Sequence, residues 1–409
     1  IALVSPQPYR IIQDMDYIGH GTAVAGIAAG NGRGSINRIY RGVAAEASLI
    51  VVRMGRRGQE SFAKTTELMR ALKYVVDKAE FIEMPIAVNI SYGTNDGSHD
   101  GNSLFEDYIN DIAQRWKNVI VVASGNEGAA AHHHRGTLRT NEIRTVDFYT
   151  TGGLTSYYLT LWKNFTDIFN VELIMPNGST TGQITYADHE KIIRLGNTAV
   201  YINYGQPNHY NVEQNIFLQI ESTEGRLPEG LWQLRITAHE ITDGSYDIWL
   251  PITEEVSRDT AFFVPSIDTT LTLPSTALYV LTAGAYNSHL NSIADFSGRG
   301  YTRRNVYIKP DLAAPGVDII SANKYGGYGL FTGTSIAAPF VAGSAALMMQ
   351  WGIVEGNDPF LYGERVKAFL RLGARRQNGI IYPDPYWGYG MLCLENTMDM
   401  LISYVKGGT

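Results

Sequence analysis

Between residues 40 and 130 the sequence repeats one unit, a short apolar run followed by an amphipathic stretch. ASLIVVRM (47–54) is followed by SFAKTTELMRALKYVVDKAE (61–80), PIAVNISYG (85–93), SLFEDYINDIAQRWKN (103–118) and VIVVASGNEG (119–128). Phe62, Leu68, Leu72, Val75 and Val76 recur at helical spacing, whereas Ile50–Val52 and Val119–Val122 are continuous β-branched runs of the kind buried on both faces of a sheet. Parallel strands need a crossover between them, so this βαβαβ rhythm predicts a parallel sheet covered by helices.

The texture changes between about 138 and 256. Short alternating segments such as YYLTLW (157–162), IFLQI (216–220), LWQLRITA (231–238) and YDIWLP (246–251) are separated by turn signals, among them Pro176-Asn177-Gly178 and Asp243-Gly244. Evenly spaced short strands predict an antiparallel sandwich, here a jelly roll. Helix–strand alternation resumes after residue 260 with LYVLTAGAY (278–286) and a long helical pattern after Gly333. The expected organisation is therefore an α/β fold in two parts, 1–137 and 258–409, interrupted by an all-β insertion at 138–257.

Composition removes several function classes. The chain has 409 residues, 44% of them hydrophobic and 18% charged, so it can bury more than one core and is not disordered. A formal charge of −7 without any Lys/Arg-rich block argues against nucleic acid as a partner. The single cysteine, Cys393, excludes an internal disulfide and reads as a core residue. No run of eighteen apolar residues predicts a membrane span, and IALVSPQPYR at the start lacks the regions of a signal peptide.

Three polar residues stand where open α/β sheets place their sites, at strand ends and helix starts. His20 sits in DYIGHGTAVAGIAAG between two glycines, Asn126 in VVASGNEG after an apolar strand, and Ser335 in TGTSIAAPFVAG ahead of small apolar residues. Each has an ordinary explanation: a structural histidine, a turn asparagine in the left-handed region, a helix N-cap. Together they describe acyl transfer. A serine hydroxyl is a weak nucleophile at neutral pH and must lose its proton to a neighbouring imidazole, and the oxyanion that follows needs donors already aimed at it. Pro339, early in the helical stretch after Ser335, is expected where its missing N–H does little harm.

In order, GHGTAVAG, SYG, ASGNEG, KPDLAAPG and GTSIAAPFVAG resemble the motifs of the subtilisin-like serine proteases (subtilases, family S8), covering about 11–137 and 258–404. The resemblance implies Ser335 as nucleophile, His20 as general base, and Asn126 as oxyanion donor beside the Ser335 backbone N–H. It implies that Ser91, Tyr92 and Gly93 pair with the substrate main chain, and that Ala123, Ser124 and Gly125 wall the pocket for the residue before the scissile bond. Lys309 to Gly316 and Phe296 to Gly300 match structural motifs of the same family. The aspartate of the family's triad precedes the histidine, yet only Asp14 and Asp16 do so here, and neither follows an apolar strand. The expectation is that the catalytic aspartate lies upstream of Ile1, with Asp16 read as an acid just ahead of the turn.

An insertion of this length, with the sequence ahead of the histidine, resembles the Csp-type germination proteases of clostridia. That implies limited proteolysis of a protein precursor in spore germination, an N-terminal prodomain cut off autocatalytically, an insertion that clamps the protease part, and a spore-associated or secreted location. No cofactor is required; a structural calcium ion fits the family, but no Asp-rich loop calls for one. His132-His133-His134 reads as a solvent-exposed loop and not as a metal site. Two other readings stay open. One is a pseudoprotease serving as a scaffold, which retention of His20, Asn126 and Ser335 opposes. The other is a binding module in the insertion, which would display Tyr157, Tyr158, Trp162 and Trp232 rather than bury them.

Overall fold

The protein is described by a computed structural model over residues 16–54, 64–305 and 307–407. Asp14 and Phe62 lie outside the described residues. The helix α1 (His20–Ala29) opens the described fold, and α2 (Thr65–Phe81) buries Leu68, Leu72, Val75, Val76 and Ala79 on one face, as the periodicity predicts. Strand β1 (Ile86–Ile90) leads to α3 (Leu104–Ala113), where Ser103 Oγ accepts the Glu106 N–H at 3.2 Å and the Glu106 carboxylate accepts the Ser103 N–H at 3.1 Å, closing a capping box. Strand β2 (Asn118–Ala123) is buried along its whole length.

Residues 47–54 are a correction. They are extended, with Ile50, Val52 and Met54 packed towards α2 and β2, but Leu49 and Val51 face solvent, and they form no ladder with a described strand. A β-branched run becomes a strand only where a neighbour takes its backbone hydrogen bonds.

The antiparallel strands that follow are β3 (His133–Thr137), β4 (Ile143–Thr150), β5 (Ser156–Lys163), β6 (Phe169–Ile174), β7 (Glu190–Leu195), β8 (Thr198–Tyr204), β9 (Gln214–Ser222), β10 (Gly230–Ala238) and β11 (Ser245–Trp249). A short helix, α4 (Thr253–Val256), precedes β12 (Ala261–Phe262). They form two sheets, β12-β4-β10-β6 and β3-β11-β5-β9-β8-β7. Alternate side chains from both sheets, including Phe148, Leu161, Val171, Leu218, Trp232 and Ile248, meet in one apolar core. Tyr157 and Trp232 are buried in it, while Tyr158 and Trp162 are half-buried.

Beyond the insertion, β13 (Leu281–Asn287) lies parallel to β2, and β14 (Ser292–Ile293) folds back on β13. Strand β15 (Leu312–Pro315) runs parallel to β13, and β16 (Ile319–Ala322) with β17 (Tyr328–Phe331) forms a hairpin. Helices α5 (Thr334–Met349), α6 (Glu364–Leu372) and α7 (Leu394–Gly407) complete the described fold. The parallel sheet β1-β2-β13-β15 with its covering helices is thus an α/β arrangement, as expected. On β2, Ile120 and Val122 pack towards α2 and α3, whereas Val119, Val121 and Ala123 pack against α5, so the run is apolar because both faces are covered.

Helix α5 is apolar all round for the same reason. With its continuation to Val354 it has the length and apolarity to cross a bilayer, but most of it is buried inside the protein as the central helix. Cys393 is half-buried just before α7.

Candidate active site

Small residues let α1 and α5 approach closely, with Ala23 and Ile27 meeting Ile336 in a shared cluster. His20, the first residue of α1, lies one turn before Ala23, and Ser335 immediately precedes Ile336, so this packing sets both beginnings side by side. The turn into α1 is made by Gly19 at φ 93°, a left-handed conformation, with the Lys324 stem against its Cα. Lys324 also donates to the Tyr17 carbonyl, fastening the loop ahead of His20 to the β16–β17 hairpin. Ser321 Oγ donates to the Ala23 carbonyl at 2.7 Å.

Asp16 caps α1. Its Oδ1 accepts the N–H groups of Ile18 (3.2 Å) and Gly19 (2.7 Å), and its Oδ2 accepts the Thr22 N–H and hydroxyl, both at 2.8 Å. Burial pushes this carboxyl up, but those hydrogen bonds outweigh it and hold it below its ordinary value. Both oxygens are committed to the helix start.

Asn126 follows β2 through Gly125, which takes the left-handed conformation at φ 93° that a turn asparagine would otherwise adopt. Its carboxamide is oriented by Thr334, whose N–H and hydroxyl both donate to Oδ1 at 3.0 Å. Nδ2 therefore faces away from Thr334, and it donates to Glu254 Oε1 at 3.3 Å. A Cβ placed on Gly333 would stand 3.8 Å from Asn126 Nδ2 and 3.8 Å from Ser335 N, so the two donors border one small space at the mouth of α5.

Glu254 reaches this point from the insertion. Glu127, next to Asn126, accepts the Thr253 N–H at 3.0 Å and pairs with His132 Nδ1 at 2.5 Å. That seats α4 beside the site. Nothing in sequence spacing marks Glu254, which stands 128 residues from Asn126. His20 is solvent-exposed as a residue, but the protein packed around its imidazole strips enough water to lower its pKa below the ordinary 6.5, while Asp16 and Glu254 partly oppose this. Burial, Asp96, Glu254 and Glu127 push Glu255 up to about 7.

Ser91 follows β1, and its hydroxyl donates to the Ser335 carbonyl at 3.0 Å. This replaces the expectation about Pro339. It is the sixth residue of α5, so its missing N–H would have bonded that carbonyl, and Ser91 supplies the bond instead. Tyr92, whose hydroxyl is pushed up to about 12 by burial and then by Glu255 and Asp96, follows Ser91 beside the site. Ala123 and Ser124 are buried at the end of β2. Beyond Asn126 opens a cavity of about 420 Å³ lined in part by Arg258, Leu290, Ile293, Phe296 and Val317.

The three histidines are also a correction. His132 and His133 are buried, and each ring is held at both nitrogens: His132 by Glu127 and the Thr260 carbonyl, His133 by Asp247 and the Asp268 carbonyl. His134 bonds the Val264 carbonyl at 2.7 Å. A polar triplet reads as a loop, but here it enters β3, and carbonyl and carboxylate partners more than a hundred residues away in most cases allow its burial. No metal-holding cluster of His, Cys, Asp or Glu occurs among the described residues.

A family model described as the subtilase family matches residues 5–198 and 264–390. Among solved structures, the CspB protease of Clostridium perfringens is 40% identical, with a TM-score of 0.90, and the match covers 98% of this chain and 83% of that one. Among curated relatives, the minor extracellular protease Vpr of Bacillus subtilis is 35% identical over 27% of this chain and 14% of its own length. Serine protease AprX of the same organism is 34% identical over 32% of each chain. The chain thus spans less than a third of the length of these two curated relatives.

Proposed function

We propose, from the premise that this chain belongs to the subtilase family of serine proteases, that it is a serine endopeptidase acting through an acyl-enzyme formed on Ser335. The observation that carries the reading is the shared space between Asn126 Nδ2 and Ser335 N at the mouth of α5, with His20 set at the start of the adjoining helix. On this reading the Ser335 hydroxyl attacks the scissile carbonyl as its proton passes to neutral His20. The carbonyl oxygen gains negative charge, and the two N–H donors and the positive end of α5 stabilise it. His20 then protonates the leaving amine, and water repeats the sequence to release the acyl group. Asp16 Oδ1 is taken by the Ile18 and Gly19 N–H groups and Oδ2 by Thr22, so on this reading a different carboxylate orients the ring.

Ser91, Tyr92 and Gly93 would receive the substrate main chain as an added strand, and Ala123, Ser124 and Gly125 would wall the pocket before the scissile bond. The cavity beyond Asn126 offers space for residues after it. We read the two antiparallel sheets as a jelly roll spanning about 138–257 that clamps the protease part, and the likeness to CspB as pointing to limited proteolysis of a protein precursor in spore germination, with a prodomain assisting folding. A fluorophosphonate probe should label Ser335 in the wild type and leave Ser335→Ala unlabelled. Spores carrying only Ser335→Ala should fail to process the precursor, whereas normal processing and germination would remove the physiological assignment. A folded wild type that never labels favours the scaffold reading.

A further inference from the structure

A carboxylate from the insertion stands at the oxyanion donor assigned above. Glu254 Oε1 accepts a hydrogen bond from Asn126 Nδ2 at 3.3 Å. Asn126, Glu254 and Gly333 line one gap of about 90 Å³, and a Cβ on Gly333 would stand 3.8 Å from both Asn126 Nδ2 and Ser335 N. The charge of Glu254 also reaches the His20 imidazole. The hydrogen bond, the shared gap and the field at His20 together place the carboxylate on the side of Asn126 that faces the mouth of α5.

The backbone beneath Glu254 is fixed, and its side chain is free to turn. Glu127 accepts the Thr253 N–H at 3.0 Å, the Thr253 carbonyl accepts the Ser257 N–H at 2.9 Å, and Val256 is buried in the core of the insertion. Glu254 is exposed, and its hydrogen bond to Asn126 is the one that its carboxylate makes among the described residues. Rotation into water therefore breaks a single contact. Asn126 does not depend on it, since Thr334 already holds Oδ1 with two hydrogen bonds. While the contact lasts, it engages a donor that a substrate carbonyl oxygen needs, and its charge opposes the negative charge that this oxygen gains.

We propose that Glu254 is an autoinhibitory latch, a carboxylate carried by the insertion that engages the oxyanion donor in the resting protein and turns into solvent when a substrate carbonyl takes its place. The inference rests on the protease reading and adds a restraint on that site. One effect runs the other way: the same charge favours the imidazolium that forms on His20 during attack. That attraction is smaller than the one from Asp16 and acts without a hydrogen bond, whereas Asn126 is in direct contact, so removing the carboxylate raises the rate.

The test is the second-order rate at which a fluorophosphonate labels Ser335, because the probe's phosphoryl oxygen enters the same space as a substrate oxyanion. It is measured at about pH 8, above the imidazole titration, on the wild-type chain, Glu254→Gln, Glu254→Ala, Asn126→Ala and the double variant Asn126→Ala with Glu254→Ala. Both single Glu254 variants should label roughly three- to tenfold faster than the wild type, less than a buried charged hydrogen bond is worth because Glu254 is exposed. On the Asn126→Ala background, removing Glu254 should bring no gain, since the latch then has nothing to hold. Labelling that Glu254→Gln and Glu254→Ala leave unchanged or slow overturns the inference while the protease reading stands, as does an equal gain on the Asn126→Ala background. No labelling of any folded variant sinks both.

Discussion

At the residue scale the site is a set of donors and acceptors whose orientations are fixed by neighbours. Asn126 can present Nδ2 because Thr334 occupies Oδ1 with two hydrogen bonds. Replacing Asn126 by Ala should lower kcat about a hundred- to a thousandfold with little change in KM, a magnitude carried over from subtilisin itself rather than derived from this site. Glu254 has a separate effect. Its charge favours the protonated form of His20, against the larger effect of burial. The rate should therefore rise with pH through an imidazole titrating below 6.5, and Glu254→Gln, which removes a charge that favours imidazolium, should move the acid limb of kcat/KM to lower pH. An acid limb that stays put or moves upward in the pH–rate profile contradicts this placement of Glu254.

At the element scale, helix α5 depends on groups outside itself. Ser91→Ala leaves the Ser335 carbonyl without the hydrogen bond that Pro339 cannot give, so stability should fall by about 1–3 kcal/mol in chemical denaturation, and kcat should fall with it as the start of the helix loosens. The parallel sheet is pinned at β15 by buried Asp311, which accepts from the Thr282 N–H at 2.6 Å and Lys309 Nζ at 2.8 Å and pairs with Arg371. Burial pushes this carboxyl up, but Lys309, Lys367 and Arg371 hold it well below the ordinary value. A depressed carboxyl stabilises the fold above the unfolded pKa of about 4 and loses that contribution as pH falls towards its folded value. Asp311→Asn should cost about 3–5 kcal/mol at pH 7, with the deficit narrowing in acid.

The βαβ elements were legible because Val119–Val122 and the Leu68–Val76 pattern follow from burial on two faces and on one. The run at 47–54 misled because hydrophobicity does not report whether a ladder partner exists. That His20, Asn126 and Ser335 stand at the edges of elements was legible because glycines lie within two residues of each, a local pattern. Glu254 was not, since it meets Asn126 only where the insertion's exit folds back beside the end of β2. His132–His134 were misread because their partners, like most that make burial of a polar ring tolerable, are distant in sequence.

At the scale of the whole molecule, the inserted sheets are tied to the α/β part by buried charge. Asp247 on β11 accepts from Arg303 Nε at 2.8 Å, from His133 Nε2 at 2.8 Å and from Arg135 Nε at 2.7 Å, and Arg303 also pairs with Glu213. Trp249 is stacked between His99, at 4.1 Å between ring centroids, and His133, at 4.6 Å. Removing one member leaves buried partners uncompensated, so Asp247→Ala should destabilise by about 3–5 kcal/mol, and the wild type should unfold in one calorimetric transition, not two. The same junction carries Glu127, His132 and α4, which is how the insertion reaches Asn126. The account as a whole stands on covalent capture of Ser335. Mass spectrometry of the folded wild-type protein treated with a fluorophosphonate should find one modified residue, Ser335, with the modification lost in Ser335→Ala and strongly slowed in His20→Ala. Modification at another serine, or none on a folded wild type, would contradict it.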